Sequence, residues 1–143
     1  TIGEERQTLL YWNKEADRVD KQYRVWSIHT HPDEPGKRED KLQINPFGEA
    51  DFIQFFEDEE QVGMSIVVGE QLLSAVKTSE TPRHWFKGTA KEKIVSILEP
   101  NYGVGKKWNS SEAAFRANKE IGSGLGIVYY LGPIMGEQER FLF

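Results

Sequence analysis

The segment Ser27-Ile28-His29-Thr30-His31-Pro32 places two imidazoles two positions apart. In a strand, residues i and i+2 share a face, so both rings would point the same way and stand close enough to hold one metal ion. The surrounding alternation supports a strand. Arg24, Trp26, Ile28 and Thr30 fall on one face; Tyr23, Val25, Ser27, His29 and His31 fall on the other. Neutral imidazole is the commonest metal ligand near pH 7. The chain has no cysteine, so a zinc site here must be built from histidine and carboxylate. A structural site closes with four ligands, whereas a catalytic one uses three and keeps a position open for water.

The third ligand should come from a segment that returns to the histidine strand. Pro46-Phe47-Gly48-Glu49-Ala50-Asp51 leads out of a loop and into a helical pattern, and a carboxylate in that first turn can face the imidazoles. Asp51 is the preferred candidate. Asp33, Asp40 and Glu49 are rivals by proximity, and a carboxylate near a helix N-terminus also has an ordinary role in complementing the dipole.

The elements that must position these groups can be read from periodicity. Residues 8–12 (TLLYW) and 23–30 (YRVWSIHT) read as strands, the second ended by Pro32. Residues 33–47 form a charged loop punctuated by Pro35, Gly36 and Pro46. Residues 49–61 carry apolar side chains at 50, 52, 53, 55 and 56, which is helical spacing. A strand at 62–68, a turn at Gly69-Glu70-Gln71 and a returning strand at 72–77 follow. Further on, helices are expected at 89–98, capped by Thr89 and stopped by Pro100, and at 110–121, capped by Ser110 or Ser111 and closed by Gly122. A final strand at 126–131 is bounded by Gly132-Pro133. The interleaving predicts an α/β (α+β) domain around a mixed central β-sheet flanked by helices.

Composition narrows the function classes. The chain has 143 residues, 38% of them hydrophobic and 12% aromatic, enough for one domain with its own core. Its formal charge of -5 argues against a phosphate backbone as partner. Apolar runs are far too short for a membrane span. Disulfides and thiol catalysis are excluded by the lack of cysteine. The chain starts at Thr1 with no signal peptide in view, so the expectation is a piece or processed form of a longer protein whose compartment is unknown from this sequence.

Taken together, His29-Thr30-His31-Pro32 and Gly48-Glu49-Ala50-Asp51 resemble the signature of the JAMM (MPN-domain, JAB-like) zinc metallopeptidases. That signature is His-x-His-Pro at a strand end, a loop, then Ser-x-x-Asp at a helix start. The first half matches completely; the second matches at Asp51, with Gly48 in place of the serine, and the intervening loop is longer than in the common form. The resemblance covers residues 4–77, somewhat over half the chain. It implies a single JAMM/MPN-like, cytidine-deaminase-like domain over residues 1–143, a Zn2+ cofactor on His29, His31 and Asp51, and hydrolysis of an amide bond in a protein or peptide. It also implies a glutamate on an earlier strand as general base. Glu5 is preferred for that role over Glu4, with Glu15 further off in a polar turn. Similar domains occur in bacterial polymorphic toxins, which would imply secretion within a larger bacterial protein and an immunity-type partner. No nucleic acid or membrane partner is expected.

Competing readings stay open. The chain is alternatively a non-catalytic MPN-like protein-binding module, which the loss of the serine at 48 would suit, or a metal-dependent hydrolase of another bond. His84 reads as an ordinary loop residue. The Gly122-Ser123-Gly124-Leu125-Gly126 and Gly103-Val104-Gly105 stretches read as turns, because neither has the order or spacing of a phosphate-binding loop. Glu57-Asp58-Glu59-Glu60 reads as the solvated end of a helix.

Overall fold

The alternation around His29 produces a six-residue strand, β1 (Val25–Thr30), in the computed structural model, which describes residues 25–30, 46–83 and 88–143. Ser27 is buried, while Trp26 and Ile28 are 41% and 62% exposed, as a two-faced strand requires. The chain then builds α1 (Glu49–Glu57), β2 (Gln61–Val68) and β3 (Gln71–Lys77). Helices α2 (Thr89–Leu98) and α3 (Ser111–Leu125) come next, and β4 (Ile127–Pro133) and β5 (Glu139–Phe141) complete the sheet. Two short 3-10 turns, Glu99–Asn101 and Val104–Lys106, join α2 to α3.

The strands lie in the order β1-β2-β3-β4-β5. β1 runs parallel to β2, and every later neighbour is antiparallel, so the sheet is mixed. A parallel pair needs a long crossover, and the segment carrying α1 supplies it. Partners in register share a face: His29 lies opposite Ile66, Ile66 opposite Leu73, and Leu73 opposite Leu131. That face meets the helices. Met64, Ile66, Leu73, Ala75, Ile127 and Tyr129 of the sheet form one cluster with buried residues of all three helices. The other face carries Trp26, whose Nε1 donates to Ser65 Oγ at 2.9 Å; Ser65 Oγ and Ser74 Oγ are 2.6 Å apart.

In α1 the buried residues are Phe52, Phe55 and Phe56, an i, i+3, i+4 stripe that locks the helix to the core. It ends sooner than expected, at Glu57, and Gln61 belongs to β2. The acidic run therefore lies mostly in the connection after the helix. No basic residue stands in the helix's last turn. Instead Lys77 reaches across from β3, donates to the Asp58 carbonyl oxygen at 2.9 Å, and lies 4.7 Å from the Phe55 ring centre.

Three other expectations are corrected. α2 has the expected bounds, but its cap is Gly88 in a left-handed conformation (φ 87°), with Thr89 already helical. Pro100 does not stop the chain's winding; it enters a 3-10 turn, where a missing N–H costs little. α3 is capped by Ser110, whose side chain accepts from Ala113 N at 3.0 Å, but it runs through Gly122 and Gly124 to Leu125. The glycine-rich stretch is thus the helix end. A Cβ at Gly122 would lie 2.8 Å from the Tyr129 ring, so close helix–sheet packing explains a glycine there. The helix closes at Gly126 (φ 70°). β5 was not expected at all. The strand expected at residues 8–12 lies outside the described residues, as does His84. Among the described residues no helix is long and apolar enough to cross a membrane.

Candidate functional site

Two of the four expected site residues come together. β1 projects His29 toward the helices, and the loop 46–48 delivers the first turn of α1 to the same place. His29 Nε2 lies 3.0 Å from Asp51 Oδ1, with the side chains 19% and 10% exposed. His31 and Glu5 lie outside the described residues, as do Asp33, Asp40, Glu4 and Glu15. Glu49, a rival ligand, opens the same helical turn as Asp51. Among the described residues no three His, Cys, Asp or Glu side chains converge on one point.

Asp51 is held from both sides. It is the third residue of α1, and its Oδ2 accepts the Gly48 N–H at 2.9 Å, capping the helix start that Gly48 cannot cap with a side chain. Oδ1 is thereby turned toward His29. The peptide that donates to Asp51 is itself fixed. Asn118, fully buried in α3, donates its Nδ2 to Phe47 O at 3.1 Å and to Ala114 O at 2.9 Å. One peptide plane therefore links Asn118 to Asp51: its carbonyl is bound by α3, and its N–H orients the carboxylate.

A third group reaches the site from the connection between α2 and α3. Tyr102 Oη accepts the backbone N–H of Glu49 at 3.2 Å, at the very start of α1. Its ring packs on Trp108, with centres 4.5 Å apart. The Tyr102–Trp108 bridge and the Gly103 N–H to Lys107 O bond of 2.7 Å close this connection into a rigid loop. Burial pushes the phenol above its ordinary range. The Glu49 N–H works the other way, and the nearby carboxylates of Glu49 and Asp51 add to the rise. The hydroxyl thus keeps its proton at neutral pH.

Sequence reasoning missed both Tyr102 and Asn118. A polar residue between Ala117 and Ile121, on the apolar stripe of a helix, is a visible irregularity, because a buried amide must find partners. Tyr102 carries no such mark; only tertiary folding brings it to α1.

The described residues supply two donor atoms, His29 Nε2 and Asp51 Oδ1, one fewer than a catalytic zinc takes from protein. Two ligand atoms on one tetrahedral zinc, each at about 2.0–2.1 Å, stand roughly 3.3 Å apart, close to the 3.0 Å between His29 Nε2 and Asp51 Oδ1. The same distance suits a direct hydrogen bond, with Asp51 fixing the imidazole. No family model, curated protein or solved structure matches the chain.

Proposed function

We propose that the chain is a JAMM/MPN-like zinc-dependent peptidase or isopeptidase, hydrolysing an amide bond in a protein or peptide. The observation that carries this reading is the approach of His29 and Asp51 to 3.0 Å from separate elements. These are the described residues of the His-x-His-Pro and helix-start aspartate signature, and they approach on a parallel βαβ-type crossover. His29, His31 and Asp51 would hold the ion. When bound, zinc would supply Lewis-acid polarisation of the scissile carbonyl and a water nucleophilic at neutral pH.

The protein's own groups have distinct tasks. Asp51 would ligate through Oδ1, the atom that faces His29 Nε2, while its Oδ2 stays on the Gly48 N–H. Glu5, in this reading, takes a proton from the attacking water and returns it to the leaving amine. No covalent intermediate is required, so the absence of cysteine is no obstacle.

The 3.0 Å contact also favours a second reading, in which His29 and Asp51 satisfy each other and the domain is a metal-free binding module. Metal content decides between them. Protein purified without an affinity tag should carry one zinc per chain by mass spectrometry, and the His29→Ala, His31→Ala double variant should carry none. Absence of metal from both, even after added zinc, would leave the binding module.

A further inference from the structure

Among the described residues, the helices pack against one face of the five-stranded sheet and leave the other without a helix. That second face is largely apolar. Its middle row runs in register from Ile28 through Ser65, Ser74 and Tyr130 to Arg140. The row beside it holds Trp26, Val76 and Val128. Trp26 is 41% and Ile28 62% exposed, which is unusual for large apolar side chains so close together. We propose that this face is the interface between two copies of the chain, stacked sheet on sheet about a two-fold axis. The proposal is independent of the chemistry at His29, whose side chain lies on the opposite face of β1.

Charge is the first reason for choosing a second copy as the occupant. The chain carries a formal charge of -5, so two copies repel one another at long range. Among the described residues in register on this face, Arg140 is the only charged one, and there is no carboxylate. Two acidic chains can therefore meet here without opposing like charges. The second reason is that the polar groups of the face have already found partners within it. Trp26 Nε1 donates to Ser65 Oγ at 2.9 Å, and Ser65 Oγ lies 2.6 Å from Ser74 Oγ, with both serines buried. Covering the face thus costs these atoms no hydrogen bond to water. A Cβ at Gly63 would lie 2.5 Å from the Trp26 ring, so the glycine lets the indole lie down across β2 and keeps the surface level.

Size is the third reason. Five strands about 4.8 Å apart, with side-chain rows about 7 Å apart along them, make a face of roughly 24 by 20 Å. Its plan area of about 500 Å², before side-chain relief is added, is close to the ~600 Å² per copy at which stable interfaces begin. Two such faces stack about 10 Å apart with their side chains interdigitated, the arrangement of a β-sandwich. A two-fold axis makes the contact isologous, so Trp26 and Ile28 of each copy enter the same interface. An interface at the small end of the range gives a dimer that dissociates on dilution.

The test is the oligomeric state in solution. Wild type, Ile28→Asp, Ile28→Ser and Met135→Asp are compared by sedimentation equilibrium over a dilution series, with circular dichroism to check folding. Met135 is 97% exposed in the turn between β4 and β5, so its variant makes the same kind of change off the face. Wild type and Met135→Asp should move from two chains to one on dilution. Self-association should be about 10- to 100-fold weaker in Ile28→Asp and intermediate in Ile28→Ser, the milder change kept in case the acid disturbs folding. A dimer equally strong in both Ile28 variants would overturn the assignment of this face. A wild type that is monomeric at the highest concentration reached would overturn the proposal. In that case a lower melting temperature for Ile28→Asp would point to another segment of the same chain as the cover, and an unchanged one to a different protein.

Discussion

Asp51 has two separable jobs at the scale of the residue. Oδ2 caps the backbone of α1, and Oδ1 faces His29. Asparagine keeps an acceptor for the Gly48 N–H but loses the charge; alanine loses both. Asp51→Ala should therefore lower stability by about 1 kcal/mol, the usual value of a helix cap, while Asp51→Asn stays near wild type in denaturant titrations. In the zinc reading proposed above, both should also bind zinc far more weakly. Equal destabilisation by the two substitutions would mean that charge, and not the cap, is what Asp51 contributes to the fold. That His29 lies on a strand and Asp51 in the first turn of a helix was legible in the sequence, because strand period and helix-start position are local properties; Asp51 was there a preference over Asp33, Asp40 and Glu49, and its approach to His29 is a tertiary fact. The peptide that aims the carboxylate was not legible. Asn118 binds Phe47 O across 71 positions, and no local pattern specifies such a partner.

Elements were readable where one period dominated. The alternation in β1 and the phenylalanine stripe in α1 each give a single burial answer, and the structure has both. Boundaries were harder wherever glycine stood, because glycine serves a left-handed cap, a close approach or a plain turn, and sequence does not distinguish them. Gly122 is a close approach and Gly126 is the cap. Gly126 also packs where a side chain cannot go: a Cβ would lie 2.7 Å from the backbone between Glu80 and Thr81, and its carbonyl accepts from Thr78 Oγ1 at 2.6 Å and Thr81 Oγ1 at 2.7 Å. Gly69 shares the left-handed conformation (φ 62°) with open space around it. Gly69→Ala should cost roughly 1–2 kcal/mol from backbone strain alone, and Gly126→Ala distinctly more. Thermal melts of the pair measure the difference, and a reversed order would contradict the packing described here.

For the whole molecule, the informative titration lies away from the candidate site. Lys77 is lowered from 10.5 to about 8, chiefly because burial desolvates its ammonium; Asp58 and Glu59 pull the other way. The unfolded chain therefore binds the proton more tightly than the folded one between these values. Stability from this group rises as pH increases from about 8 toward 10.5, and its burial cost is fully present below that window. Lys77→Met removes the titration and keeps the aliphatic bulk against Phe55. The melting temperature of wild type relative to this variant should climb between pH 7 and pH 10; a flat difference would place the amine in water.

The Asn118–Phe47–Asp51 connection makes α3 a reporter for its surroundings. A ligand that needs Asp51 in its observed orientation should favour states in which the Phe47–Gly48 peptide keeps its place, and with it the bond from Asn118 to Phe47 O. By linkage, openings that release Asn118 become rarer in proportion to occupancy. Deuterium uptake by the amides of residues 114–118 would then slow when such a ligand binds, so libraries of ions, peptides and proteins can be screened against this chain with no enzymatic assay.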